Sequence, residues 1–108
     1  MELQGKTLEM VIFKTKAGVS TEAAQLAMNK LNTVLDEFKG YSQRFTAVSE
    51  DGEFIDLVFW DNLDYAMQAN EAVMKNEEAL ESFGLIDDQS MQCRHYEIFN
   101  SVKASSKV

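Results

Sequence analysis

The feature that most narrows what this chain can become is the order in which its hydrophobic periodicities change. Apolar and polar residues alternate from Leu8 to Lys14, and a three-and-four spacing takes over after Ser20. Alternation returns on both sides of Asp51-Gly52, helical spacing resumes after Trp60, and a last alternating stretch runs from Met91 to Phe99. Alternation sends successive side chains to opposite faces of a strand, whereas three-and-four spacing keeps them on one side of a helix. The order is therefore β-α-β-β-α-β, which implies a ferredoxin-like α+β sandwich: an antiparallel four-stranded sheet with two helices on one face. With 108 residues, 45% of them hydrophobic, the chain suffices for a single domain with one core. That domain is expected over residues 1–100, with residues 101–108 a polar tail.

Local signals place the helices. Ser20 is the expected N-cap after the Lys16-Ala17-Gly18 turn, Glu22 sits where the helix dipole favours an acid, and Gly40 supplies the stop. The buried stripe of this helix is Ala24, Ala27, Met28, Leu31, Val34, Leu35 and Phe38. A second helix, capped by Asp61 or Asn62, should bury Leu63, Ala66, Ala69 or Asn70, Val73 and Leu80. Asn70 is either a rim residue or a polar group aimed into a cavity. The acids Glu71, Glu77, Glu78 and Glu81 form a solvated face.

If Asp51-Gly52 forms a two-residue turn, Glu50 faces Glu53, Ala47 faces Asp56, Phe45 faces Val58 and Gln43 faces Trp60. Alternation then gives one face to Val48, Ile55, Leu57 and Phe59, suited to packing under the helices. The other carries Tyr41, Gln43, Phe45, Ala47, Phe54, Asp56, Val58 and Trp60. Both crossovers are right-handed, so both helices cover one face and leave the second bare. Bare apolar surface costs roughly 25 cal/mol per Å² in water. A homodimer that turns two sheets together, with a ligand cavity inside, is the expected solution.

Several classes are excluded. A formal net charge of −8 opposes attraction to phosphate backbones and anionic lipid, so neither nucleic acid nor a membrane is an expected partner. No run approaches spanning length, and Met1 to Lys6 holds no apolar signal segment. One cysteine, Cys93, rules out an intramolecular disulfide and suits a reducing compartment, so a cytoplasmic location is expected. The absence of a glycine-rich phosphate loop, a nucleophile elbow, Cys-x-x-Cys or paired catalytic carboxylates argues against hydrolase and nucleotide chemistry.

Phe13-Lys14-Thr15-Lys16-Ala17-Gly18-Val19-Ser20 opening a helix, Tyr41-Ser42-Gln43-Arg44 after Lys39-Gly40, and Phe59-Trp60-Asp61-Asn62 leading into a helix with Ala66 resemble the antibiotic biosynthesis monooxygenase (ABM) domain family. The family belongs to the dimeric α/β-barrel superfamily, and the resemblance spans about Lys6 to Phe99. It implies a small homodimer with relatives among cofactor-independent quinone-forming monooxygenases, haem-degrading monooxygenases and dimers of no assigned reaction. The chain departs from the family in having Ala17-Gly18 where Pro-Gly is common, and Met67 to Asn70 where a helix histidine is common. The Asn, Trp and His set expected of haem degraders is not assembled, and no cofactor is expected.

The candidate chemistry is sparse. His95, the sole histidine, is either an acid or base in a pocket or a structural residue at a strand edge or dimer seam. Cys93, His95 and Glu97 share a strand face with Met91 and Phe99 and have the spacing of metal ligands, yet no second cluster completes a shell, so no metal is expected. Arg94 and Tyr96 occupy the opposite face. Asp56, mid-strand among aromatics, is either a base able to take a phenolic or enolic proton ahead of dioxygen, or the partner of an Arg or Lys across a seam. Trp60 is a pocket wall or a core plug, and Phe45, Phe54 and Tyr41 are the other candidate walls. Two functions follow: a cofactor-independent monooxygenase with His95 or Asp56 as base, acting on an aromatic or quinone-like small molecule, and a non-catalytic dimeric ligand-binding or interaction module.

Overall fold

The computed structural model describes residues 3–105. Strand β1 (Thr7–Phe13) leads into helix α1 (Thr21–Leu35), strands β2 (Tyr41–Val48) and β3 (Phe54–Trp60), helices α2 (Leu63–Val73) and α3 (Glu77–Phe83), a 3₁₀ turn (Asp88–Ser90) and strand β4 (Gln92–Glu97). The sheet order is β2-β3-β1-β4 with every neighbour antiparallel, so β1 and β3 are central. This is the ferredoxin-like α+β arrangement. Ser20 caps α1, its Oγ accepting from the Ala23 amide at 3.1 Å.

The hairpin corrects the expected faces of β3. A two-residue turn centred on Asp51-Gly52 needs both residues at positive φ, and only Gly52 adopts it, at 86°. The loop instead takes a third residue: Gly52 N–H donates to Ser49 O at 3.1 Å, Ser49 N–H to Glu53 O at 2.8 Å, and Glu53 N–H to Ser49 Oγ at 3.0 Å. Val48 consequently faces Phe54, Thr46 faces Asp56 and Arg44 faces Val58. A one-residue slip sends a strand's whole set of side chains to the other face of its partner. Phe54, Asp56, Val58 and Trp60, paired with the inward Phe13, Val11, Glu9 and Thr7 of β1, lie under the helices, and the slip turns Gln43, Phe45 and Ala47 to the bare face with Ile55, Leu57 and Phe59. An irregularity between Tyr41 and Gln43 returns Tyr41 to the helix side opposite Trp60.

The expected second helix is two helices. Met74 closes α2, and Asn76 starts α3 by accepting the Ala79 amide on Oδ1 at 2.9 Å, with Glu77 and Glu78 in the first turn. The break rotates the buried stripe: Ala79 and Ser82 face inward, while Leu80, like Leu63, is exposed. Ser82 Oγ donates to Ala27 O at 3.0 Å and ties α3 to α1. Two buried clusters result. One gathers Phe13, Ala24, Ala27, Met28, Leu31, Phe54, Ala79 and Ile86, and the other Val58, Trp60, Ala66 and Ala69. Among the described residues, no helix is long and apolar enough to cross a membrane.

Candidate functional site

Between those clusters, sheet and helices bound a partly open cavity of about 360 Å³ within one chain. It lies on the helix side of the sheet, where β3 turns Asp56, Val58 and Trp60, rather than on the bare face. α1 contributes Met28 and Leu31, and α2 contributes Asn70 and Val73. The wall is mostly apolar, with Glu9, Arg44, Asp56, Asn70 and Asp88 as its charged and amide groups.

Two polar pairs shape it. Arg44, its side chain 4% exposed, makes a bidentate pair with Asp56: Nε donates to Oδ1 and Nη2 to Oδ2, each at 2.9 Å. Its Nη1 donates to Met28 O at 2.9 Å and to Asn32 Oδ1 at 2.8 Å. The guanidinium thus locks β2, β3 and α1 together, and both carboxylate oxygens of Asp56 are engaged. In the second pair, Glu9 on β1 stands opposite His95 on β4, and Glu9 Oε1 lies 3.1 Å from His95 Nε2. Burial raises the pKa of Glu9; the His95 contact works against that rise and the Asp56 charge adds to it. The Trp60 indole N–H also favours the Glu9 carboxylate slightly, although Trp60 Nε1 is buried with no acceptor in hydrogen-bond range. Burial raises the Cys93 thiol as well, followed by the charges of Glu9 and Asp56.

Of the residues singled out from sequence, Asp56, Trp60 and Asn70 come together on the cavity wall. His95 stands behind Glu9. Tyr41 meets the Trp60 ring edge-on at a centroid distance of 5.8 Å. Burial pushes the Tyr41 phenol up, with Arg44 opposing and Asp36 and Asp56 adding to the rise. Phe54 stacks on Phe13 at 5.2 Å inside the first buried cluster, and Phe45 stands on the bare face, 54% exposed. Cys93 and His95 take the cavity side of β4, while Arg94 and Tyr96, opposite Met10 and Leu8, take the other. Sequence reasoning passed over Glu9 and Arg44. Glu9 carried a signal, since it shares strand phase with Thr7, Val11 and Phe13, the inward set of β1.

No protein-family model matches the sequence, and no curated protein matches it either. Solved structures do. A single-site variant of SnoaB, a cofactor-independent oxygenase from Streptomyces nogalater, superposes with a TM-score of 0.72 at 8% identity, over 93% of this chain and 99% of that one. A candidate antibiotic biosynthesis monooxygenase from Deinococcus radiodurans gives 0.70 at 13% identity, over 93% and 99%. The ActVA-Orf6 monooxygenase of Streptomyces coelicolor, in complex with the ligand nanaomycin D, gives 0.69 at 15% identity, over 93% of each chain. The fold of this chain is therefore the ferredoxin-like α+β fold of the antibiotic biosynthesis monooxygenase structures. The family resemblance seen in the sequence holds at the level of structure.

Proposed function

We propose that the chain is a cofactor-independent monooxygenase that oxidises a neutral aromatic or quinone-like small molecule and works as a homodimer. The observation that carries this is the mainly apolar cavity with Glu9 on its wall and His95 paired behind it. Its volume of about 360 Å³ falls within the range of about 300–1,000 Å³ usual for small-molecule sites. Glu9, Asp56 and Asp88 line it, and the one guanidinium present is committed to Asp56, Met28 and Asn32. Such a wall disfavours carboxylated or phosphorylated substrates and suits a phenol, which can donate a hydrogen bond to a carboxylate.

The Glu9–His95 pair takes the phenolic proton, Asp56 fixes Arg44 and the local field, and Trp60 and Asn70 hold the ring. The phenolate gives one electron to dioxygen. Recombination forms a peroxide at a ring carbon, and its O–O bond then breaks. One oxygen atom becomes the new ring carbonyl, and the other leaves as water with the ring hydrogen and the phenolic proton.

The bare face supports the homodimer. Leu8, Met10, Ile12, Ile55, Leu57 and half-exposed Phe45 line it, an apolar surface that a second copy would cover. Trp60 is the sole tryptophan and sits on the cavity wall, so it reports occupancy directly. Hydroxynaphthalenes and hydroxyanthracenes should quench its emission and, under labelled dioxygen, yield quinones carrying one labelled oxygen. Quenching without oxygen uptake would leave a binding module, and absence of both across the series would refute the proposal.

A further inference from the structure

A second chemistry is built into the same wall. On β4, Cys93 and His95 are two residues apart and point to one face, and the β1–β4 register sets Glu9 opposite His95. The carboxylate, thiol and imidazole ligand atoms all lie within 4.8 Å of one another, the one such group among the described residues. From this convergence we infer that Glu9, Cys93 and His95 form a site for a zinc-class divalent ion, with a fourth coordination position left for water or a cavity-bound ligand.

Bond lengths of about 2.0–2.3 Å from zinc to oxygen, nitrogen and sulfur set tetrahedral ligand atoms about 3.3–3.7 Å apart. Side-chain rotations that draw the three groups in by about 1 Å are enough, and Glu9 and His95 already touch at 3.1 Å. A thiolate with an imidazole and one carboxylate selects zinc or cobalt over magnesium or calcium, which take oxygen ligands. Entry is open, because β4 is an edge strand and Cys93 is exposed. On binding, the Cys93 thiol gives its proton to solvent, and His95 ligates as the neutral imidazole through Nε2, exchanging its contact with Glu9 for the metal. Affinity therefore falls as pH falls. This goes beyond the oxygenase proposal. A bound ion removes Glu9 and His95 from proton transfer, so it inhibits that reaction.

The test needs no turnover. Chelator-stripped protein is titrated with Zn²⁺ by equilibrium dialysis and with Co²⁺ by absorption spectroscopy. The expected result is one ion per chain, with a thiolate-to-cobalt charge-transfer band that Cys93→Ser abolishes. Cys93→Ser and Glu9→Gln each remove a direct ligand and should each weaken Zn²⁺ binding by at least the roughly 10–100-fold that loss of an outer-shell partner costs. Folded wild-type protein that takes up no stoichiometric ion, or Co²⁺ bound without the band, overturns the assignment. Unchanged affinity in folded Cys93→Ser does the same. Because the wild-type spectrum is decisive by itself, a variant that fails to fold leaves the test intact, and a failed oxygenase assay leaves it untouched.

Discussion

Replacing Arg44 by Met should be among the most damaging single changes in the chain, and replacing its partner as well should repair much of the loss. The guanidinium is 4% exposed and the Asp56 side chain 14%, so Arg44→Met strands a carboxylate where water barely reaches. Breaking a buried pair from one side costs about 3–5 kcal/mol. At about 4 °C per kcal/mol for a domain of this size, melting falls by about 12–20 °C. In Arg44→Met/Asp56→Leu the stranded charge is gone, and what remains lost are the bonds from Nη1 to Met28 O and Asn32 Oδ1. Those are worth about 1 kcal/mol each. The double variant should therefore be about 1–3 kcal/mol more stable than the single one. Urea unfolding followed by Trp60 emission at fixed protein concentration measures both. A double variant no more stable than Arg44→Met would refute the view that the damage comes from an uncompensated charge.

Gly40→Ala should destabilise by about 2–5 kcal/mol, since Gly40 sits at φ 85° and an added Cβ would run into the Tyr65 ring. Gly52→Ala, at φ 86° with nothing within 4 Å, should carry only the conformational share, about 1–2 kcal/mol. Thermal melts of the two variants side by side check the difference. The folded protein holds the Tyr41 proton above the ordinary value of 10.0, mainly through burial. Its contribution to stability is thus whole below the unfolded-chain value and is lost as pH rises through the folded-state value. Alkaline absorbance titration should lose a component above pH 10 in Tyr41→Phe, and the alkaline fall in stability should flatten. Phe45→Lys puts a charge on the bare face and, for the homodimer proposed above, should shift subunit count from two to one by native mass spectrometry; an unchanged count would count against a seam there.

The order of elements was legible because periodicity reports burial directly: the stripe from Ala24 to Val34 has no other stable use. Ser20 was readable for a local reason, its hydroxyl answering an amide three residues on. Which face β3 turns inward was not readable. Both of its phases are apolar, Phe54, Val58 and Trp60 on one and Ile55, Leu57 and Phe59 on the other, and the phase of β2 beside it was no clearer, because Asp-Gly serves both a two-residue turn and a three-residue loop. The Asn76 cap was missed because the stretch from Met67 to Leu80 stays helical in composition across the break. Glu9 escaped because a lone acid in a strand is usually solvated, and its partner His95 lies 86 residues away. Arg44 had the same difficulty, since its four contacts come from two other elements.

The loop from Ser49 to Glu53 thereby carries information about a chamber that it does not touch. β1 holds β3 in place, so deleting one loop residue would rotate β2 alone. Arg44 would swing outward and Phe45 inward, leaving Asp56 without its counter-ion and filling the void with a ring. In this chain, loop length at the hairpin is thus a setting for interior polarity, able to convert a charged vault into an oily one with no substitution at any wall position.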